Sequence, residues 1–264
     1  MRLARSRQTE EGRLLELYNA PMSTCSQKVR LVLAEKGLDW VDRRLDLSKN
    51  EHLTPAYLAL NPNGVVPTLV HDGNAIVDSS VICEYLDEVF PEVPLVPREP
   101  VRRAQLRAWL RFLEEVPTAA IRVPSFHQAL ARRYGDLDNE RFNREVADVR
   151  PLRKHFYRRM GPEGFGRAEV EESLEELTRT LERMQAALAD GPWLMGADFT
   201  LADIVVTPSI DRMADLGLAA MWEKDFPRVA DWYRRLQTRP SFVKTYYKGS
   251  RLSEGMPIRP LALA

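Results

Sequence analysis

Cysteine is nearly missing from this chain: Cys25 and Cys83 are the two in 264 residues, and no Cys-x-x-Cys occurs. A disulfide scaffold needs several paired thiols and a zinc fold needs ligands at short fixed spacings, so neither is expected. The four histidines add no metal-ligand spacing, so no metal is expected. Net charge is missing too. Thirty-eight Lys and Arg, against 38 Asp and Glu, leave no bulk attraction for nucleic acid or an anionic membrane. No stretch approaches the ~18 apolar residues of a membrane-crossing helix. Met1–Arg13 is polar and arginine-rich, without the apolar core of a secretory signal. A cytoplasmic location is the expectation. Internal repeats and low-complexity tracts are also absent. Local charge runs, with Arg150, Arg153, Lys154, Arg158 and Arg159 ahead of the acidic 169–176, read as solvated helix faces.

What is present is an ordinary apolar content, 44%, enough for one large or two modest domains. Leu14–Tyr18 reads as a strand and Ser26–Lys36 as a helix that Gly37 ends. Trp40–Leu47 follows as a second strand with alternating apolar positions. After a short helical piece at Pro55–Leu60, Val65–Val70 and Ala75–Val77 flank an Asp72-Gly73 turn, a strong hairpin signal. Asp78 opens a helix over Ser79–Val89. The order βαβ then ββα on one sheet is thioredoxin-like. Phe90–Pro100, with four prolines, is the linker. Beyond it nothing reads as a strand. Arg102–Glu115, an amphipathic run from Val170 to Leu188 and Ile204–Met213 are helices, the last behind a capping box at Thr200–Asp203. Pro117–Gly166 is helical but interrupted by Pro124, Gly135, Pro151 and Gly161-Pro162. The segment Ser23-Thr24-Cys25-Ser26 gathers hydroxyl and thiol groups at a helix start, where an anion can sit. The same hydroxyls can equally serve only to cap that helix.

Four separated motifs then align: Ser23-Thr24-Cys25-Ser26 before Val29-Arg30; Asn61-Pro62-Asn63-Gly64-Val65-Val66-Pro67; Asp78-Ser79-Ser80-Val81-Ile82-Cys83-Glu84-Tyr85-Leu86; and Phe199-Thr200-Leu201-Ala202-Asp203. In this order and spacing the chain resembles a cytosolic glutathione transferase of the serine type, from Leu14 to Lys248. The middle and the length further resemble a bacterial group close to the glutathione-dependent β-etherases. More distantly they resemble the ganglioside-induced differentiation-associated proteins. The resemblance implies a thioredoxin-like domain over 13–92 and an all-helical domain over 101–249. It also implies glutathione as co-substrate, a small hydrophobic electrophile, a homodimer and a role in detoxification.

The resemblance implies site residues as well. Ser23 stands where serine-type transferases carry the hydroxyl that faces the glutathione sulfur. A free thiol of pKa ~8.5 is a few per cent ionised at neutral pH. Lowering that value by about 1.5 units needs about 2 kcal/mol, within reach of one hydrogen bond to a charged group. Val66-Pro67 resembles the family's cis-proline turn, whose exposed backbone pairs with the cysteinyl unit. Asp78 and Ser79 fall at the γ-glutamyl site and His52 at the glycyl carboxylate. Trp109, Phe112 and Phe126 are the implied electrophile wall. Two positions depart from the pattern: Val65 and Leu53 stand where many relatives carry polar or cationic donors. Three rivals share these residues: a glutathione-dependent lyase or dehalogenase, a non-catalytic binding protein, and a thiol reductase acting through Cys25. The last is disfavoured, because reactive cysteines in such relatives occupy the position of Ser23.

Overall fold

The computed structural model describes residues 14–261. The readings of Met1–Arg13, and with them residue 13 as the start of the first domain, fall outside the described residues. The first half is a four-stranded sheet of order β2-β1-β3-β4. Strand β1 (Leu15–Asn19) pairs in parallel with β2 (Val41–Arg44) and antiparallel with β3 (Thr68–His71), which pairs antiparallel with β4 (Asn74–Val77). Helices α1 (Thr24–Lys36), α2 (Pro55–Leu60) and α3 (Ser79–Val89) complete this half.

Boundaries shift where a cap or a missing donor dictates it. Strand β2 stops at Arg44 because Asp46 caps a helical turn over Leu47–Lys49. Pairing in β3 begins after Pro67, which has no N–H to give. The hairpin turn places Asp72 and Gly73 at φ 48° and 82°, the positive region a two-residue hairpin requires. Gly37 ends α1 at φ 64°, its N–H donating to the carbonyls of Leu33 and Ala34.

Every regular element after the linker is helical among the described residues. Helix α4 (Pro100–Glu115) starts with proline at its first turn, capped by Glu99, which accepts from the N–H groups of Val101 and Arg102. Short helices α5 (Pro117–Ala120), α6 (Arg122–Gln128), α7 (Asn139–Phe142) and α8 (Lys154–Met160) make up the interrupted middle. Helices α6, α7 and α8 close on an apolar cluster of their own, in which Tyr134 meets Phe142 and Tyr157, and Phe156 meets Tyr157 and Phe165, edge to face. Helices α9 (Arg167–Ala187), α10 (Leu201–Asp215), α11 (Ala220–Glu223), α12 (Pro227–Gln237) and α13 (Pro240–Thr245) form the main bundle.

Helix α1 joins the two halves. Val29, Val32 and Leu33 are buried, as their helical spacing implies, and Lys28 and Arg30 are buried too. The helix lies between the sheet and α10 and α13, so it has no wet side. Its charges are therefore paired. Lys28 Nζ donates to Glu114 and, at 2.9 Å, to Thr118. Arg30 donates to Asn19 Oδ1 at 2.8 Å and to the Pro21 carbonyl at 2.7 Å. From the far end of the chain, Arg239 grips Glu35 with two 2.7 Å bonds, and Gln27 Nε2 donates to the Ser250 carbonyl at 2.9 Å.

Candidate active site

A cavity of about 720 Å³ opens between the first turn of α1, the loops around residues 44–52 and 64–66, and helices α6 and α8. Ser23 sits on its wall in extended backbone as the N-cap of α1. Its hydroxyl oxygen accepts the Ser26 N–H at 3.2 Å. That bond uses a lone pair and leaves the hydroxyl hydrogen free to donate. The cap and the candidate catalytic group are thus the same oxygen, in two compatible roles. The preceding loop is held from two sides: Arg30 takes the Pro21 carbonyl and Arg212 the Met22 carbonyl. Arg212 is itself buried in α10, paired with Asp215 at 3.5 Å and donating to Ser125 Oγ at 3.3 Å.

The other residues singled out from sequence divide. His52, Val66 and Phe126 line this cavity together with Ser23; Pro67, Asp78, Ser79, Trp109 and Phe112 do not. The Val66-Pro67 bond is cis, and Pro67 is buried. Asp78 caps α3 at φ 74°, a strained value for a side chain with a Cβ, and its Oδ1 accepts from Ser80 N, Ser80 Oγ and Val81 N. Ser79 is buried at the first position of that helix. Trp109 and Phe112 pack edge to face on α4 under the guanidinium of Arg183, 4.5 and 4.1 Å from the two ring centroids. They belong to the bundle core, because the face of α4 that carries them turns toward α9. Cys25 is a free thiol on the cavity wall; Cys83 is fully buried, which pushes its thiol far up, and lies outside the cavity.

His52 is buried on a helical turn, its Nδ1 without a partner among the described residues. Burial, then the charges of Arg150 and Arg133, lower it from 6.5 to about 4. The imidazole is therefore neutral at pH 7. It favours the folded state above pH 6.5, and that contribution fades as pH falls toward 4. An NMR titration should place the His52 midpoint near 4 and move it upward in Arg150→Gln. A wild-type midpoint near the free value contradicts the placement.

Gly64 also lines the cavity, at φ 58°. A Cβ there would stand 2.9 Å from Leu53 Cδ2 and 3.2 Å from Pro151 Cδ. The Gly64→Ala variant is expected to lose about 1–2 kcal/mol of stability from the strained backbone alone. The added methyl also displaces the Val65–Val66 wall of the cavity; thermal melts check the loss.

One correction concerns charge. Of the basic run read as a solvated face, Arg158 and Lys154 do meet Asp148 in solvent and Arg159 meets Glu169. Arg150 and Arg153 instead turn into the cavity, beside Arg122 and Arg133. Arg150 is buried, stacked 4.3 Å from the centroid of Tyr157, and donates to the Val146 carbonyl and, at 3.1 Å, to Asn50 Oδ1. No sequence motif marks these arginines. The one available signal is local: Arg122 with Phe126, and Arg153 with Phe156 and Tyr157, at helical spacings.

Two family descriptions match the chain: "Glutathione S-transferase, N-terminal domain" over residues 22–89 and "Glutathione S-transferase, C-terminal domain" over residues 167–235. The chain belongs to the glutathione S-transferase family. As an enzyme of that family it is similar over most of its length to Protein LigF of Sphingobium sp. (strain NBRC 103272 / SYK-6). The two are 26% identical over 243 residues, which cover 90% of this chain and 95% of LigF. The crystal structure of the β-etherase LigF superposes with a TM-score of 0.79 at 27% identity, covering 88% of this chain and 98% of LigF. The tetrachloro-p-hydroquinone reductive dehalogenase of Sphingobium chlorophenolicum is 28% identical over 239 residues, 86% of this chain and 94% of the relative. Between the two matched ranges lie residues 90–166, which hold α6, α8 and four of the six arginines on the cavity wall.

Proposed function

We propose that this glutathione S-transferase binds glutathione in the sheet-side wall of the cavity, ionises its thiol with Ser23, and directs the thiolate at a small electrophile lying against α6 and α8. The observation that carries the reading is the Ser23 hydroxyl: it faces the cavity, its acceptor side is occupied by the Ser26 N–H, and its hydrogen is free. A thiolate is the acceptor that such a donor stabilises. Val66 would offer its backbone to the cysteinyl unit, and Asp78 and Ser79, at the start of α3, the γ-glutamyl end. Neutral His52 would bond the glycyl carboxylate, and Arg150 and Arg133 beside it would supply the positive charge that Leu53 and Val65 lack.

The test is the ultraviolet absorbance of the thiolate in the glutathione complex, followed against pH. Half-ionisation should fall about 1.5 units below that of free glutathione and return toward the free value in Ser23→Ala. A bound thiol that titrates like the free one overturns the assignment.

Similarity to LigF supports a second reading of the same attack, in which the leaving group is the phenolate of a β-aryl ether. Turnover of a model aryl ether exceeding that of a chloronitrobenzene would select it. The wider picture is a cytoplasmic homodimer acting in detoxification. It rests on the family and on the exposed Val81 of α3 and Val101 of α4, apolar positions that a second copy would cover.

A further inference from the structure

Glutathione accounts for the sheet side of the cavity and for Arg133 and Arg150 near His52. It leaves two cations unexplained. Arg122 and Arg153 both line the cavity, half-buried, and neither has a carboxylate partner among the described residues. The two acids on the wall are occupied elsewhere: Asp46 accepts from Ser48 N and Oγ, and Glu51 accepts the Asp46 N–H at 2.7 Å. Arg44 and Arg212, the remaining cations of the wall, are already paired with Asp42 and Asp215. The two free guanidiniums also act on each other. Burial first, then the charge of Arg122, holds Arg153 below the ordinary guanidinium value. Cations facing one another without a counter-ion repel, and an anion placed between them removes that repulsion.

What lies next to them narrows the anion. Arg122 and Phe126 stand four residues apart on α6; Arg153 precedes Phe156 and Tyr157 by three and four residues at the start of α8. Residues at these spacings share one side of a helix. The rings meet: Phe126 is 5.1 Å from Phe156 and 5.5 Å from Tyr157, centroid to centroid, in edge-to-face contact. Two helices thus present the same pair, a guanidinium and one turn along an aromatic ring, and their rings form one surface. That surface takes an arene, and the forked donors beside it take a planar oxyanion.

We propose that the second substrate is an aromatic acid, its ring against Phe126 and Phe156 and its carboxylate held by Arg122 and Arg153. This rests on the transferase reading and adds the substrate class. In the reaction the glutathione sulfur bonds to the electrophilic carbon. The halide or phenolate on that carbon leaves with the bonding pair, and no external oxidant or reductant enters. The carboxylate takes no part in bond making and serves to orient the ring.

The experiment needs no turnover. Two S-aryl glutathione conjugates are compared by titration calorimetry, one with a carboxylate on its dinitrophenyl ring and one with the matching carboxamide. The wild type should bind the carboxylate at least tenfold tighter. The ratio should fall in Arg122→Gln and in Arg153→Gln, and approach one in the double variant. Because both ligands are read on the same sample, an unfolded fraction cancels. Equal affinities in the wild type overturn the inference, as does a preference that survives both substitutions. Loss of affinity for glutathione itself with the ratio intact also overturns it, since the arginines would then serve the tripeptide. Failure of the transferase reading appears separately, in the thiolate titration.

Discussion

Alanine at position 23 is expected to lower kcat/KM roughly ten- to a hundredfold while leaving the KM for glutathione nearly unchanged. The lost interaction is one hydrogen bond to a charged sulfur, worth ~1.5–3 kcal/mol, and each 1.36 kcal/mol is about tenfold in rate. The hydroxyl contacts only the sulfur of the tripeptide in this reading, so the rest of its binding surface is untouched. Ser23 also caps α1, so the variant should lose about 1 kcal/mol of stability independently of catalysis. Threonine separates the two effects, since it retains both the cap and the donor. Ser23→Thr should keep most of the activity that Ser23→Ala loses. Equal, undiminished turnover in both variants would leave the hydroxyl with its capping role alone.

The second large effect is structural and depends on pH. Asp203 is fully buried at the start of α10 and accepts three N–H bonds: from Leu194 at 3.0 Å, from Thr200 at 3.1 Å and from Trp232 Nε1 at 2.9 Å. Asp203→Ala orphans all three donors inside the bundle, at about 1–3 kcal/mol each. Burial raises the carboxyl from 3.8 to about 6. The folded state therefore holds this proton more tightly than the unfolded chain does. The contribution to stability is complete below pH 3.8 and falls away as pH rises through 6, by on the order of 3 kcal/mol. The alanine variant should accordingly show a larger deficit at pH 5 than at pH 8. At 2–4 °C per kcal/mol for a chain of this size, a loss of about 10 °C in apparent Tm is expected at the lower pH. A deficit that grows with rising pH would contradict this account. The capping box explains Asp203 fully, without a catalytic role.

Local chemistry is what the sequence displays well. The Asp72-Gly73 hairpin, the Gly37 stop, the Asp78 cap and the Thr200–Asp203 box are each set by a few neighbouring residues, and each is found where the pattern puts it. The capping hydroxyl of Ser23 is legible for the same reason. Lys28 and Arg30 are not, because their burial depends on α10, α13 and Glu114, far away in the chain. The same holds for the aromatic positions. Trp109 and Phe112 look like site residues only until α9 is seen to cover them with Arg183. Arg150 and Arg153 read as solvated because their run is basic and helical. Which of its members turn inward is decided by the packing of the short helices between Pro117 and Gly166.

The grip of the chain's end on α1 has a bearing on its biosynthesis. Glu35 is held by Arg239, and Gln27 by the Ser250 carbonyl, contacts that span more than 200 residues. A ribosome releases the sheet half long before these partners exist. Until they emerge, α1 has an uncovered apolar flank, and the first turn that carries Ser23 lacks its final supports. The Ser23 hydroxyl is thus made more than 200 residues ahead of the partners that set it in place. Contacts of such long sequence separation slow folding.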